Sequence, residues 1–325
     1  MIRRSRFWLL SAMAVAALWC GWEAAAPAAR AQTATPARQV RLHVLASRSA
    51  VGAVNFADFQ LAGTIWVQSI GRRRGFQVDS RFEVAPNLET VSRQIEDFSA
   101  DLVILDVVEY IKLAPSGLLR PFVGIARGKM GIRQSYHLLV NRDSGYAGIE
   151  DLRGKNVLAY FRSDAEMGKM WTESLLNERR LGRAERFFAS LTRVSKASAA
   201  CLPVFFGKAD ACIVDSPSWD VLTEMNPQLA SRLRIAATSP PYVEGLVCLH
   251  AKHKDFVEEL LQGLVELHKD PEGKQLLMIF KGERTDEVRE PDLATARDLW
   301  AKYTSFAGLP SLAARPEGIQ AARRP

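Results

Sequence analysis

Asp101-Leu102-Val103-Ile104-Leu105-Asp106 is an apolar run with a carboxylate at each end. A short, unbroken run of this kind reads as a strand buried on both faces, the situation of a parallel sheet covered by helices. Upstream, residues 76–84 alternate apolar and polar, and residues 40–46 form another apolar-rich run, so both read as strands. Between them, residues 54–72 have helical spacing. Residues 87–98 are helical too, with Leu88, Val91 and Ile95 on one face. Strands alternating with helices predict an α/β fold whose sheet is mostly parallel.

The same grammar repeats downstream. Residues 136–140 read as a strand, and residues 148–160 as a short helix, a glycine stop and a strand. Helices are expected over 166–180 and 195–205, the second closed by Gly207 at a helix C-terminal position. Residues 209–215 form a strand, a helix starts at Pro217, and residues 233–238 form another strand. Ser239-Pro240-Pro241-Tyr242 interrupts the pattern before a strand resumes at 246–250. The remainder reads as helical to Ser305, with a Pro- and Ala-rich tail over 310–325.

The N-terminus is organised differently. Arg3, Arg4 and Arg6 precede an apolar run from Phe7 to Trp19 and a small-residue segment ending Ala29-Arg30-Ala31. This order is that of a secretory signal peptide cleaved after Ala31, which places the protein in the periplasm. The apolar run is shorter than the ~20 residues a membrane-spanning helix needs. Lipidation at Cys20 is disfavoured by the bulky Trp19 before it. Residues 32–39 are a polar leader expected to be disordered.

The whole chain has 325 residues and a net charge of +7. Losing residues 1–31 removes four arginines and one glutamate, which leaves a mild +4. The charges interleave, as in Asn177-Glu178-Arg179-Arg180, and no basic stripe with aromatics points to nucleic acid. Some 290 mature residues exceed an ordinary single domain, so two lobes are expected. Cys201, Cys212 and Cys248 remain after export. They read either as three buried thiols or as one Cys201–Cys212 disulfide with a leftover thiol. No nucleotide-binding loop, catalytic serine elbow or zinc-protease motif is present, so no cofactor is expected. His250 and His253 lack a third partner for a metal.

Four stretches together resemble the phosphate/phosphite/phosphonate family of ABC-transporter periplasmic binding proteins. Ala100–Asp106 with Tyr110 beyond looks like that family's lobe-one strand and site loop. Ile149-Glu150-Asp151-Leu152-Arg153-Gly154-Lys155 is similar to its lobe-two opening element, Phe206-Gly207-Lys208-Ala209-Asp210-Ala211 to its GKADA turn, and Thr238-Ser239-Pro240-Pro241 to its crossover. The likeness spans residues 40–303. It implies a two-lobed type II periplasmic-binding fold. Lobe one would hold residues 40–130 and 245–305, and lobe two residues 131–244, with hinge crossings near Arg133 and Ser239. A small, anionic ligand would bind between the lobes, and closure would be a hinge motion.

Ligand contacts are then expected on loops at strand C-termini, where helix N-termini also suit an anion. Ser47, Arg48 and Ser49 offer two hydroxyls and a guanidinium for an oxyanion, or else a capped helix start. Asp106 reads an amine or caps the next turn; Tyr110 stacks on a ligand or packs inside. Arg162 and Ser163 occupy the loop that is Ser/Thr-rich in the resembling family. Asp164 and Glu166 beside them would repel a dianion. Asp215 and Ser216 contact ligand or cap the helix at Pro217. The partners expected are a small molecule and an inner-membrane ABC permease, with the chain acting as a monomer. A receptor serving a sensor kinase is the alternative. An exported enzyme on the same fold is a third reading, with only carboxylate pairs such as Asp215 and Asp220 to support it.

Overall fold

The computed structural model describes residues 38–308, apart from 53, 162–166 and 254. The chain opens with strand β1 (Arg38–Ser47), a turn of helix α1 (Arg48–Val51) and the long helix α2 (Phe56–Arg73). Strand β2 (Phe76–Ala85), helix α3 (Leu88–Glu96), strand β3 (Leu102–Asp106), helix α4 (Val107–Leu113) and strand β4 (Leu119–Ala126) follow. A two-residue strand, β5 (Arg133–Gln134), leads into β6 (Tyr136–Asn141). Next come β7 (Asn156–Ala159), α5 (Met167–Glu178), α6 (Ala184–Phe187), β8 (Ser190–Arg193), α7 (Ala197–Phe205) and β9 (Ala211–Asp215). After α8 (Ser216–Met225), α9 (Pro227–Arg232) and β10 (Leu233–Thr238), the short β11 (Tyr242–Val243) precedes β12 (Gly245–His250). The chain ends with α10 (Asp255–Val265), α11 (Pro271–Ile279), β13 (Arg284–Glu287) and α12 (Ala294–Ala307).

These strands form two separate sheets. One has the order β13-β4-β12-β3-β1-β2 and the other β10-β6-β9-β7-β8. Each is mixed rather than uniformly parallel. Strands β1, β2 and β3 pair parallel, as do β7, β8 and β9. Strands β12 and β6, which follow the crossings between sheets, are antiparallel to both neighbours. The direction follows from connectivity. A chain arriving from the other sheet enters at the carboxyl ends of the resident strands and must run the opposite way.

Where the two crossings meet, β5 and β11 pair antiparallel, with Tyr242 opposite Gln134 and Val243 opposite Arg133. Side chains lock this junction. Ser239 Oγ accepts from the Tyr136 amide at 2.8 Å, and Ser216 Oγ accepts from the Ser135 amide at 3.0 Å. Tyr136 and Tyr242 are fully buried with ring centroids 5.5 Å apart. Arg133, on the first crossing, donates to Asp292 at 2.6 Å.

Helices α2, α10 and α11 cover one face of the six-stranded sheet, burying Phe59, Trp66, Val67, Leu260 and Leu277. Helices α7, α8 and α9 cover one face of the five-stranded sheet around Leu139, Val204 and Trp219. The last helix, α12, packs on both α4 and α5 and so touches elements of both halves. Gly207 ends α7 with φ +69°, the left-handed geometry glycine adopts at such a stop. Cys201 and Cys212 are buried thiols with sulfurs 3.8 Å apart, beyond bonding distance.

Besides the two-residue strands of the junction, β5 and β11, three strands escape a reading of the pattern. Strand β4 contains Pro121 and Gly124, both unfavourable inside a strand; the pairing with β12 shifts register beside Pro121, which accommodates it. Strand β8 has only four residues, half of them exposed. Strand β13, Arg-Thr-Asp-Glu, lies in a stretch expected to be helical to Ser305. It pairs with β4 as an edge, where polar residues are tolerated. Strand β1 starts at Arg38, inside the expected leader.

Leu139 lies in the middle of β6 with no exposure. Leu139→Ala is expected to cost about 2–5 kcal/mol, read from urea unfolding monitored by circular dichroism; a loss under about 1 kcal/mol would contradict the packing described.

Candidate functional site

The carboxyl ends of the strands come together along one cleft. From the six-stranded sheet come Asp106 at the end of β3, Arg127 just after β4, and Glu244 just before the reversed β12. From the five-stranded sheet come Tyr160 after β7 and Arg193 at the end of β8. Lys281, beyond α11, completes the charged lining. The cleft holds about 680 Å³. It continues beside the junction as a region of about 640 Å³ that shares Arg127, Tyr160, Ser195 and Lys281 and adds Pro217 and Ser218. Crevices at this edge are where open α/β sheets bind ligands.

Its electrostatics are mixed, with a cation on each side. Arg127 Nε and Nη2 donate to the Phe280 carbonyl at 3.2 and 3.0 Å, which fixes the guanidinium against the first sheet's helical layer. Arg193 Nη2 donates to the Phe161 carbonyl at 3.4 Å on the opposite side. Two guanidiniums and the Lys281 ammonium therefore border one volume, as an oxyanion requires.

Side chains already occupy three helix N-termini near this edge, whereas α7, which starts beside Ser195 in the cleft, has no side-chain cap. Asp106 Oδ1 accepts from the Glu109 amide at 2.9 Å and caps α4. The Glu109 carboxylate returns to the Asp106 amide at 3.2 Å and also accepts from the Ser47 hydroxyl. Asp215 Oδ1 accepts from the Ser218 amide at 2.8 Å and caps α8. Ser47 Oγ accepts from the Ala50 amide at 3.1 Å and starts α1. Capping accounts for three of the residues the sequence singles out. It leaves the side-chain cations and the uncapped start of α7 as the positive groups of the cleft. The Asp106 carboxyl is pushed up to about 7, first by burial and then by the neighbouring Glu109 carboxylate.

Of the residues expected to contact ligand, Arg48, Ser49 and Asp106 meet around a side hollow of about 240 Å³ that also includes Lys112. Asp106 borders both this hollow and the main cleft. Ser47 is buried beneath them. Tyr110 faces the core: it is 1 % exposed, its hydroxyl donates to Glu290, and Arg297 stacks on its ring. Asp215 and Ser216 are buried at the junction and border neither part of the cleft. Arg162 and Ser163 lie outside the described residues. The sequence does not single out Arg127, Arg193 or Lys281: Arg127 follows β4, Arg193 ends β8 and Lys281 precedes β13, three strands the pattern does not reveal.

Among the described residues no cluster of His, Cys, Asp and Glu could hold a metal ion. His250 Nε2 meets the Ile95 carbonyl, and His253 pairs with Glu258 at 3.2 Å.

Known proteins bear on this geometry. A family model for the periplasmic substrate-binding protein of phosphonate ABC transporters matches residues 66–293. No protein of curated function matches. Among solved structures, the chain is similar to XAC2383 from Xanthomonas citri bound to ATP, with 18% identity and a TM-score of 0.60 over 83% of this chain and 99% of that one. It is similar to a binding-protein component of an ABC phosphonate transporter (PA3383) from Pseudomonas aeruginosa, with 13% identity, a TM-score of 0.54, and 83% and 89% of the two chains covered. PhnD1 from Prochlorococcus marinus, in complex with methylphosphonate, shares 16% identity and a TM-score of 0.53 over 82% and 98%. At these identities the likeness is one of fold, the type II periplasmic-binding architecture.

The raised Asp106 carboxyl has a stability consequence. Its folded value of about 7 exceeds the ~3.9 of an unfolded aspartate, so the native state holds this proton more tightly. Its contribution to stability is present below pH ~4 and is lost as pH rises through ~7. Asp106→Asn retains a capping oxygen and does not ionise. Unfolding midpoints from pH 4 to 8 are expected to shift progressively in favour of the variant, and a pH-independent difference would show that Asp106 ionises normally.

Proposed function

Because this chain belongs to the phosphonate-type family of periplasmic substrate-binding proteins of ABC transporters, we propose that it captures a small phosphonate-like oxyanion in the cleft between its two sheets, between Arg127 and Lys281 on one side and Arg193 on the other. The family is one of transport receptors and not of enzymes. Its members work in the periplasm, bind small molecules and deliver them to a permease. For this chain the reading extends to a monomer without catalytic activity, exported by a signal peptide cut after Ala31.

One observation carries the assignment of the site: arginines contributed by different sheets border the same 680 Å³ volume. A ligand touching both would favour the closed arrangement, because only that arrangement satisfies both sets of hydrogen bonds. Asp106 and Glu244 border the cleft too. A protonated Asp106 removes one repulsion to a bound anion and becomes a hydrogen-bond donor. The lobes take residues 40–130 with 245–305 and residues 131–244, hinged at the crossings near Arg133 and Ser239. Arg48 and Ser49, beside the adjoining hollow, act as a secondary anion contact.

Titration calorimetry of the mature chain with methylphosphonate tests the assignment. Arg127→Ala and Arg193→Ala should each weaken binding by about 10- to 100-fold, as expected for a charge-assisted hydrogen bond of ~1.5–3 kcal/mol. Arg48→Ala should weaken it less. Unchanged affinity in both cleft variants would reject the site. In a second measurement, methanesulfonate stays fully ionised from pH 6 to 8, so its affinity should rise toward pH 6 in the wild type and stay level in Asp106→Asn. A wild-type affinity independent of pH would exclude Asp106 from the site.

A further inference from the structure

Two of the three cysteines in the mature chain lie against each other. Cys201 is in α7 and Cys212 is in β9, the strand on which α7 packs. Their sulfurs are 3.8 Å apart, which is van der Waals contact, so no other atom stands between them. Both side chains are fully buried, in the cluster that holds Leu139, Val204 and Trp219. Cys248 is in β12 of the other sheet and packs in a different cluster. The fold therefore offers one pair and one leftover thiol.

The pair sits at a weak element. Helix α7 has nine residues, too few to hold a helix by its own hydrogen bonds. Pro203 inside it has no N–H to donate to the Ala199 carbonyl. Its first turn follows Ser195 and Lys196 in the cleft and has no side-chain cap. A covalent tie from α7 to β9 would fix a helix whose amino end borders the ligand space to the strand that ends at Asp215.

We propose that Cys201 and Cys212 are joined by a disulfide in the exported protein, and that this bond staples α7 to β9. A disulfide needs sulfurs ~2.05 Å apart, so these must close by roughly 1.8 Å, a shift that rotation of the two side chains about their Cα–Cβ bonds supplies. The oxidant is the disulfide of a dithiol oxidase, of the class that keeps a periplasm oxidising. One cysteine, as thiolate, attacks a sulfur of that disulfide and displaces the donor's other sulfur as a thiolate. The second cysteine thiolate attacks the mixed disulfide, and the donor leaves as a dithiol. The chain loses two electrons and two protons, and the donor gains them. Exchange precedes burial. In the folded chain, burial and then the neighbouring Cys201 push the Cys212 thiol well up, and a thiol that does not ionise does not attack. The bond does not depend on what the cleft binds; it takes from the family only the periplasmic location.

The test is a thiol count by mass spectrometry. The full chain is exported to a bacterial periplasm, purified in its mature form and alkylated with N-ethylmaleimide in guanidinium chloride. One adduct is expected without reductant, and three after dithiothreitol. Trypsin should release residues 197–208 and 209–232 of the unreduced protein as one linked species, since Lys208 lies between the two cysteines. Cys248→Ala should leave no reactive thiol, and Cys201→Ala should leave two. Three adducts on the unreduced wild type, or a linked peptide that contains Cys248, would overturn the bond; the wild-type count decides the matter if a variant does not fold. The staple has its own readout. Protein refolded in dithiothreitol should melt about 5 °C or more below the oxidised form, and equal midpoints would overturn the staple even with the bond present.

Discussion

The structure depends on how two short crossings are held together. Arg133–Gln134 and Tyr242–Val243 form a ladder of two residue pairs between the sheets. Both strands that follow it enter at the carboxyl edge of a sheet and run against their neighbours. That geometry turns the carboxyl edges of β3, β7 and β9 toward a common space, and everything chemical follows from it. The ladder is small, but buried tyrosines and two serine hydroxyls that accept backbone amides surround it. Such a junction fixes which edges face each other, and α12, packed on both α4 and α5, ties the two halves together beside it.

The two halves solve the same local problem in the same way. Asp106 ends β3 and caps α4, and Asp215 ends β9 and caps α8. Each carboxylate satisfies a backbone amide that would otherwise face the cleft unpaired. This has a cost for an anion receptor, because it places negative charge at two helix ends, while the start of α7, which lines the cleft, carries no side-chain cap. The raised Asp106 carboxyl reduces that cost on one side, and the cations at Arg127, Arg193 and Lys281 offset it in the cleft itself. Recognition by guanidinium forks is more directional than recognition by a helix end, so it favours ligands with a tetrahedral oxyanion head.

Much of the fold is legible in the sequence, because the buried strands that organise each sheet are apolar runs closed by polar residues. Asp101–Asp106 and Ala209–Asp215 are of this type, and their helices start at recognisable caps. The strands at the periphery lack such a signal. Strand β4 is disguised by Pro121 and Gly124, β8 is four residues long, and β13 is wholly polar. The candidate site suffers from the same gap. Sequence position reveals side chains that follow a visible strand, and these turn out to be caps or junction residues: Ser47, Asp106, Asp215. The cations beside the three hidden strands are invisible until those strands are paired. Tyr110 shows a different limit, since its helical position cannot tell whether the ring turns to the cleft or to Glu290.

The central claim is that a single small anion is held by both halves at once. A crystal structure of the mature chain grown with methylphosphonate tests it most directly. The phosphonate oxygens are expected within hydrogen-bond distance of both Arg127 and Arg193, with the two sheets closed about the crossings at Arg133 and Ser239. A phosphonate bound to one half alone, or outside the cleft, with the sheets unmoved, would contradict it.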